Sequence, residues 1–496
     1  MRMMRVLLIS IICVFFTACY GDNENDNIEN EVFKSNSIVI VNPTLQSNMV
    51  LQQNSEFTIT GKGTANEKIR VQCGWENSDT FHTTEVESNG KWSISIQTPS
   101  ATKTAYSIVV QGKSKLTFES ILIGEVWLCA GQSNMYWLLK DSENGEEEVN
   151  NATYPKIRLL NMTRTISDTP VDDITAEWKI CTPDNARYFS AVGYFFGRKL
   201  FHEMDIPIGL IASNWGNTGA EVWTERNRLM AIPELAEEAS RLDAKVHSDG
   251  SPNKVGSTYN SMIYPLRTIP VAGAIWYQGE NNQDKPYLYP LLLKTMVEGW
   301  REDWNKEFPF YIAQICPYKR EWNYLTNYSN PAVRFMQARA SEQIANCGIE
   351  VNDDLGDINN IHPTKKQDVG LRLAWLALGK TYGKNGFSSM RCPVYSNCEL
   401  LGNQIKIHFK HADSGFKTSD SEPPSMFEVA GDDHQFYPAK ATISGNTIVL
   451  SSPSVAKPIA ARMGWSYVRI TNLRAANGLP VSVFRTYEWD DETEEQ

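Results

Sequence analysis

The chain has 496 residues, of which 42% are hydrophobic, 21% charged and 11% aromatic. That is the composition of a globular protein long enough for about two to four domains. Its formal net charge is -11 at pH 7, so it lacks the basic surface with which proteins track phosphates, and this argues against a nucleic-acid partner.

Residues 1–18 are predicted to be an export signal, because two arginines precede an apolar run too short to span a membrane. The sequence FTAC (16–19) places small residues before a cysteine, as in bacterial lipoprotein cleavage sites. We therefore expect an outer-membrane lipoprotein, periplasmic or at the cell surface, that touches the membrane only through a lipid on Cys19. Residues 19–36 are acidic and polar and predict a disordered tether. Simple secretion with cleavage nearby remains the alternative.

The cysteines and histidines do not have the spacing of a metal site. There is no CxxC and no HExxH sequence, so we predict neither a metal nor another cofactor. Export permits disulfides, and Cys392 and Cys398, in the sequence CPVYSNC, are the most plausible pair.

Two β-rich segments flank the centre of the chain. Residues 37–118 carry short runs in which apolar and polar residues alternate, separated by turn signals such as Asn89-Gly90. This pattern predicts an N-terminal β domain of the sandwich type. Residues 386–490 return to the same alternation and predict a C-terminal β domain. Neither segment shows a chemical motif.

Residues 119–385 have a different character and predict an α/β domain. Apolar runs with the length of buried parallel strands alternate with helical patterns, which favours a parallel sheet with helices on both faces. The predicted strands are 121–128, 206–213, 272–277 and 308–315, and the predicted helices are 194–204, 287–300 and 366–378.

Ser133 lies where the first of these strands gives way to a helical pattern. The small turn AGQ (130–132) precedes it, and a helix can start at Asn134. In this position a serine hydroxyl is exposed beside the free N–H groups of a first helical turn, as a serine nucleophile requires. The alternative is a helix-capping serine with no chemical role.

The other strand ends supply partners for Ser133. Ligands bind beyond the carboxyl ends of the strands in open α/β sheets, so the loops that carry Ser133, Gly216 and Gln278 should converge, and His362 can reach them from a later loop. In acyl transfer Ser133 would attack and His362 would accept and return its proton. The backbone N–H groups of Ser133 and Gly216 and the Gln278 side-chain amide would bind the oxyanion.

Several motifs resemble the sialate O-acetylesterase family of SGNH-type hydrolases. They are MVLQ (49–52), GQSNM (131–135), FSAVGYFFGRKL (189–200), SNWGNTGAEVW (213–223), YNSMIYPL (259–266), WYQGENN (276–282), IHPTKKQDVGLRLA (361–374) and NGLPVSVFRTYEW (477–489). The resemblance covers nearly all of the mature chain in the right order. It implies a three-layer α/β/α domain with a parallel sheet and a carbohydrate esterase that works without metal. The family's nucleophile and histidine positions match Ser133 and His362.

The sequence departs from the family pattern at two places. Asn217 stands where the family usually has glycine, and asparagine is the non-glycine residue best tolerated at positive φ. The acid expected shortly before the histidine is missing, because Asn359 and Asn360 occupy those positions. A triad acid orients the imidazole and stabilises its charged form.

Three candidates remain for the group that orients the imidazole. Glu280 matches a position that serves as the acid in some related acetylesterases. Asp357 lies in the histidine's own loop. The third option is a dyad in which Asn360 or a backbone carbonyl is the partner. We name Ser133, His362 and Glu280 as the predicted catalytic residues.

The leading functional prediction is a serine esterase that removes O-acetyl groups from sialic acids through an acyl-enzyme. Within the same chemistry, the alternative substrate is an acetylated polysaccharide such as xylan. From a different class, the chain could be a surface glycan-binding lipoprotein with a weak catalytic centre, because the acid beside His362 is missing. The predicted partner in every case is an acetylated glycan.

Overall fold

The structure is a computed structural model that describes residues 39–244, 251–319, 328–466 and 470–489. The predicted export signal, the tether and Cys19 lie outside the described residues. Within this part of the chain, no helix has both the length and the apolar character that crossing a membrane requires.

The described N-terminal segment consists of seven short strands, of which all but β2 lie in two small sheets. The strands are β1 (Ile40–Val41), β2 (Val50–Gln52), β3 (Glu56–Lys62), β4 (Lys68–Cys73), β5 (His82–Glu85), β6 (Lys91–Gln97) and β7 (Tyr106–Gln111). Strands β1, β3 and β6 form one sheet, while β4 pairs with β5 and β7 in the other. Burial alternates strictly along β6, as expected for a strand with one face on a core and one in water. The predicted sandwich assignment stays a prediction.

Strand β8 (Lys115–Gly131) joins this segment to the centre of the molecule. Its first part pairs antiparallel with β7, and its burial alternates between exposed and half-buried residues. From Ile121 onward every residue is buried, because the strand now runs through the middle of a larger sheet. The strand therefore passes without a break through the predicted domain boundary at residue 118.

The central sheet has the strand order β10-β9-β11-β8-β12-β13-β14. Its remaining strands are β9 (Tyr154–Asn161), β10 (Trp178–Cys181), β11 (Ile208–Asn214), β12 (Gly273–Tyr277), β13 (Phe310–Ala313) and β14 (Cys347–Glu350). Every pairing along this order is parallel except that of β10 with β9. The protein is thus a mixed α/β protein whose central strands point their carboxyl ends to one edge.

The α-helices of the described residues lie mainly between and after the central strands. They are α1 (Ser133–Tyr136), α2 (Gly145–Asn151), α3 (Pro183–Ala186), α4 (Ala191–Met204), α5 (Arg226–Met230), α6 (Pro233–Asp243), α7 (Tyr289–Asp303), α8 (Ser329–Gln343) and α9 (Lys366–Lys380). Helix α4 packs on α9, and α7 packs on α8.

Two tryptophans show that these helix pairs cover opposite faces of the sheet. Trp127 on β8 contacts Phe196 of α4, with ring centroids 5.0 Å apart, whereas Trp276 on β12 contacts Trp300 of α7 at 5.9 Å. Gly273 is the register partner of Trp127, and Trp276 lies three residues further along β12. Because successive side chains alternate between faces, Trp276 points away from the face of Trp127.

The C-terminal segment forms further sheets against the central part. Its strands are β15 (Val394–Leu400), β16 (Ile405–Lys410), β17 (Phe416–Thr418), β18 (Phe427–Ala430), β19 (Phe436–Pro438), β20 (Lys440–Ser444), β21 (Thr447–Ser451), β22 (Ala460–Met463), β23 (Leu473–Ala475) and β24 (Phe484–Arg485). Helix α8 contacts β24. The strand predicted over residues 467–470 lies mostly outside the described residues.

The predicted disulfide between Cys392 and Cys398 is wrong, because both cysteines are free in the structure. Cys398 belongs to β15, whereas Cys392 lies before its start and accepts a hydrogen bond from the Val351 N–H at 3.3 Å. An extended chain rises about 3.3 Å per residue, so six residues separate the two Cα atoms by roughly three times the span of a disulfide.

A fully buried ion pair connects α8 to the C-terminal segment. The Arg334 guanidinium donates to the Asp353 carboxylate, and both side chains are completely shielded from water. The second carboxylate oxygen accepts from the backbone N–H and the hydroxyl of Thr471, both at 2.9 Å. Removing one partner of such a pair leaves a buried charge without compensation.

We predict that Asp353→Ala lowers the free energy of unfolding by about 3–5 kcal/mol, as measured by urea denaturation. The matched control is Arg339→Gln on the same helix, whose pair with Glu488 is exposed to water. That change should cost less than about 1 kcal/mol. Equal losses in the two variants would contradict the structural role of the buried pair.

Candidate active site

The turn between β8 and α1 sets the position of Ser133. Gly131 has φ +142, and a Cβ at this residue would lie 2.2 Å from the carbonyl oxygen of Tyr277. Only glycine allows the strand to pass this close to β12 and turn at once. The helix that follows is a single turn, Ser133–Tyr136, shorter than the pattern predicted. Ser133 itself is half-buried, so its hydroxyl remains accessible to a ligand.

His362 meets Ser133 from a distant part of the chain. Its Nε2 atom lies 2.8 Å from the Ser133 Oγ atom. The imidazole stacks on the Trp137 ring with centroids 5.3 Å apart and an interplanar angle of 24°. The backbone N–H of His362 donates to Asn360 Oδ1 at 2.9 Å. The structure thus brings together the two residues that the sequence names as nucleophile and base.

None of the three predicted orienting groups, Glu280, Asp357 and Asn360, bonds to the imidazole within the described part of the chain. Glu280 Oε1 accepts from Asn134 Nδ2 at 2.5 Å. Asp357 Oδ1 accepts from the Asn359 backbone N–H at 2.9 Å, and the Asn360 side chain accepts from the His362 backbone rather than its ring. The identity of the orienting group therefore stays a prediction.

Asn134 is the residue that the sequence analysis missed. Its Nδ2 atom donates to the carbonyl oxygen of Ile361 at 3.0 Å as well as to Glu280. Its Oδ1 atom accepts from Lys366 Nζ at 2.5 Å. One side chain next to Ser133 is thereby bonded to the loop that carries His362. Both Asn134 and Lys366 lie inside the family motifs, but neither takes part in the proton transfers of the predicted acyl-transfer mechanism.

Burial perturbs both ionisable groups of this network. Desolvation lowers the pKa of Lys366 to about 8, although the nearby Glu280 carboxylate opposes the shift. Desolvation also raises the pKa of Glu280, against hydrogen bonds to its carboxylate from its own backbone and from Asn134 and against the charge of Lys366. Glu280 Oε2 is buried without a hydrogen-bond partner among the described residues. The network is therefore held at an electrostatic cost.

Gly216 lies directly against Ser133. A Cβ on Gly216 would be 3.4 Å from the Ser133 Cβ atom, so its backbone lies beside the serine; its role as an oxyanion donor stays a prediction. The next residue, Asn217, has φ +59, which confirms that asparagine here takes the conformation that suits glycine.

Gln278 has contacts that differ from its predicted role. Its Nε2 atom donates to the Thr218 carbonyl at 3.0 Å and to Asn282 Oδ1 at 2.7 Å, and the side chain is fully buried. Both amide hydrogens are thus bonded to oxygen atoms of the protein, and none is left for an oxyanion.

Asn281, in the same loop, is exposed. Its backbone N–H donates to Gln132 Oε1 at 3.3 Å, and Gln132 is the residue before Ser133.

One group of side chains in the described residues has the spacing of a metal site. It consists of Cys73, Glu76 and His82, whose ligand atoms lie within 4.8 Å of one another. The His82 Nε2 atom is 3.0 Å from both Glu76 oxygens, so an ordinary ion pair accounts for this contact. The group belongs to the N-terminal segment and takes no part in the site around Ser133.

Comparisons with known proteins agree on one relationship. A family model described as "Carbohydrate esterase, sialic acid-specific acetylesterase" matches residues 123–377. Sialate O-acetylesterase of Mus musculus is 28% identical over 406 residues, which cover 71% of this chain and 74% of that protein. The protein of the same name from Rattus norvegicus is 26% identical over 479 residues, covering 84% and 88%. The crystal structure of a carbohydrate acetylesterase from Xanthomonas citri superposes with a TM-score of 0.82 at 30% identity, over 91% of this chain and 100% of that one.

The lowered pKa of Lys366 predicts a dependence of stability on pH. Folding disfavours the protonated amine, so burial of Lys366 destabilises the folded protein to its full extent below pH 8. This destabilisation is lost as the pH rises from about 8 towards 10.5, the pKa of the amine in the unfolded chain. The free energy of unfolding of the wild type, minus that of Lys366→Met, should therefore increase by up to about 3 kcal/mol between pH 7 and pH 10. Urea denaturation at both pH values measures this difference.

The exposed neighbour Lys365 provides the control for this experiment. Its side chain is exposed in the folded protein, so Lys365→Met removes a neighbouring lysine without emptying a buried site. If the Lys366→Met difference changed with pH no more than the Lys365→Met difference does, burial of the Lys366 amine would not govern its protonation.

Proposed function

The chain belongs to the sialic acid-specific acetylesterase family of carbohydrate esterases and is an esterase, and we propose that it is a serine O-acetylesterase that acts on O-acetylated sialic acids through an acyl-enzyme. The observation that carries the proposal is the 2.8 Å contact between Ser133 Oγ and His362 Nε2. We also assign the central sheet with its two helix layers to the SGNH-type hydrolases. The order of the motifs and the parallel strands support this assignment.

In the proposed reaction Ser133 attacks the acetyl carbonyl carbon while His362 takes the hydroxyl proton. The tetrahedral intermediate collapses when His362 returns that proton to the sugar oxygen, which leaves as an alcohol. Water then attacks the acetyl-serine with the same imidazole as base and releases acetate. The distance of 2.8 Å is within the hydrogen-bond reach that both proton transfers need.

The developing oxyanion needs donors fixed in advance. We assign this role to the backbone N–H groups of Ser133 and Gly216, because the Gly216 backbone lies against the serine. The side-chain donor from the neighbouring loop is assigned to Asn281 in place of Gln278. Asn281 is exposed and anchored beside Gln132, whereas both hydrogens of the Gln278 amide are already bonded.

Glu280 is proposed to act on His362 through Asn134. Its carboxylate fixes the Asn134 amide, which in turn holds the carbonyl of Ile361, the residue before His362. The carboxylate also balances the charge of Lys366, which bonds the other end of the same amide. Glu280 is thus a positioning residue in this proposal. The alternative to be tested is that its carboxylate contacts the imidazole of His362 directly.

The substrate class follows from the relatives. The mouse and rat proteins are named for sialate O-acetyl hydrolysis, and the similar Xanthomonas citri protein is described as a carbohydrate acetylesterase. We therefore propose an acetyl ester on the glycerol side chain of a sialic acid as the bond that is cut. Measuring the rate on acetylated xylan alongside the rate on O-acetylated sialic acid distinguishes this substrate from an acetylated plant polysaccharide.

We predict that Ser133→Ala lowers kcat by a thousandfold or more on O-acetylated sialic acid and on p-nitrophenyl acetate. The reason is that the Ser133 hydroxyl supplies the oxygen that forms the acyl-enzyme in the proposed reaction. Release of acetate measures the first reaction and nitrophenolate absorbance the second. Ser100→Ala in the N-terminal segment, whose exposed hydroxyl bonds only Asn54, should leave both rates unchanged. Equal activity of wild type and Ser133→Ala would end the proposal.

A pair of substitutions tests the role of Glu280. Glutamine keeps an acceptor oxygen for Asn134, so Glu280→Gln should retain kcat within about tenfold, while Glu280→Ala should lose more because the acceptor is gone. Rescue by the isosteric variant is the mark of a positioning role. A fall of about 10⁴-fold in Glu280→Gln, the size expected when a triad acid is neutralised, would show that the carboxylate acts on the imidazole directly.

A further inference from the structure

Two clefts open beside the loops of the active site. The first, here called the Arg164 cleft, has a volume of about 440 Å³, and its polar lining includes Tyr136, Arg164, Tyr188 and Asn214. The second has about 270 Å³, and its charged lining consists of Glu221, Glu238, Arg241 and Asp284. Glu238 is paired with Arg241 and with Lys285, so the second cleft offers no free cation among the described residues. An anion would therefore be favoured in the first cleft.

The Arg164 cleft begins next to the nucleophile. Tyr136 ends the helix that Ser133 starts, and three residues of helix amount to about 5 Å along its axis. On the other wall Asn214 is the register partner of Gly131, the residue at which β8 turns. The Arg164 cleft therefore starts about one helical turn from Ser133.

Arg164 presents a fixed cation in this cleft. Its guanidinium carbon lies 4.4 Å from the centroid of the Tyr136 ring, and Nη2 donates to the Tyr136 hydroxyl at 3.3 Å. Its side chain is exposed, and no carboxylate among the described residues lies within ion-pair distance of it. Stacking fixes the plane of the guanidinium, and most of its N–H donors are left for a ligand. A planar fork of this kind matches a carboxylate.

Asn214 adds a second polar group. Its side chain is only 7% exposed, and its Nδ2 atom has no hydrogen-bond partner among the described residues. It extends from β11 on the same face as Ala212, which also lines the cleft. A buried amide donor without a partner is costly, and an oxygen atom of a bound ligand would remove that cost.

We infer that the Arg164 cleft binds the ring carboxylate of an acidic sugar while the acetyl ester on its side chain reaches Ser133. This inference rests on the proposed function and explains how the site selects sialic acids over neutral acetylated glycans. A sialic acid carries its ester and its carboxylate at opposite ends, with the glycerol chain and the ring between them.

The test compares three substrates that differ in charge. They are an O-acetylated sialic acid glycoside, the same compound with its carboxylate blocked as a methyl ester, and p-nitrophenyl acetate. For the wild type, kcat/KM should be about 10- to 100-fold higher on the acid than on the methyl ester, the range expected for a charge-assisted hydrogen bond. In Arg164→Gln this preference should disappear, while the rate on p-nitrophenyl acetate stays the same.

Two more variants sharpen the test. Arg267 also lies over a tyrosine, 3.7 Å from the Tyr264 ring centroid, but it is paired with Asp172 outside the Arg164 cleft, so Arg267→Gln should keep the preference for the acid. Asn214→Asp keeps the size of that side chain but replaces its amide donor with a negatively charged acceptor. It should lower kcat/KM on the acid by about tenfold more than on the methyl ester, because like charges then meet in the cleft.

The outcomes separate the inference from the proposed function. Equal wild-type rates on the acid and its methyl ester, or a loss in Arg164→Gln that is the same for all three substrates, would overturn the Arg164 cleft as a carboxylate site. So would a preference abolished equally by Arg267→Gln. Absence of turnover on any substrate, or activity that survives Ser133→Ala, would instead overturn the serine esterase itself.

Discussion

The geometry of the site depends on the hydrogen bonds of one buried amide. Asn134 follows Ser133 in the chain and bonds to the backbone of Ile361, 227 residues away. The same side chain is held by Glu280 and by Lys366. Because the loop that carries His362 is fixed to the helix that carries Ser133, the 2.8 Å contact between them needs little reorganisation before reaction. Preorganisation of this kind is where most of the catalytic advantage of a fixed site arises.

The parts of this arrangement that depend on local chain properties could be predicted from the sequence. An apolar run followed by a small turn and a helical pattern located Ser133 at a strand end, and the rule that parallel strands end at one edge brought His362 to it. The positive φ of Asn217 follows from the residue type and the turn. These predictions hold because each rests on a single segment or on the direction of the strands.

The parts that depend on side-chain partners could not be predicted in the same way. Gln278 has the right chemistry for an oxyanion donor, but the two hydrogens of its side-chain amide are bonded to Thr218 and Asn282. A sequence pattern does not show which donors of a buried amide are already bonded. Cys392 and Cys398 are close in sequence, yet the extended strand between them keeps their sulfur atoms apart. The continuity of β8 from one sheet into the next was hidden because its period changes at Ile121.

The charge of the whole protein and the charge of the site act on different length scales. A net charge of -11 repels an anionic sugar at a distance, but at physiological ionic strength this field is screened within about 8 Å. At contact the local groups decide. In the proposed binding mode the guanidinium of Arg164, stacked on the Tyr136 ring, faces the carboxylate of the sugar, and no carboxylate among the described residues lies within ion-pair distance of it. An acidic protein could select an acidic sugar in this way, because one local cation acts at contact whereas the field of the net charge is screened beyond that range.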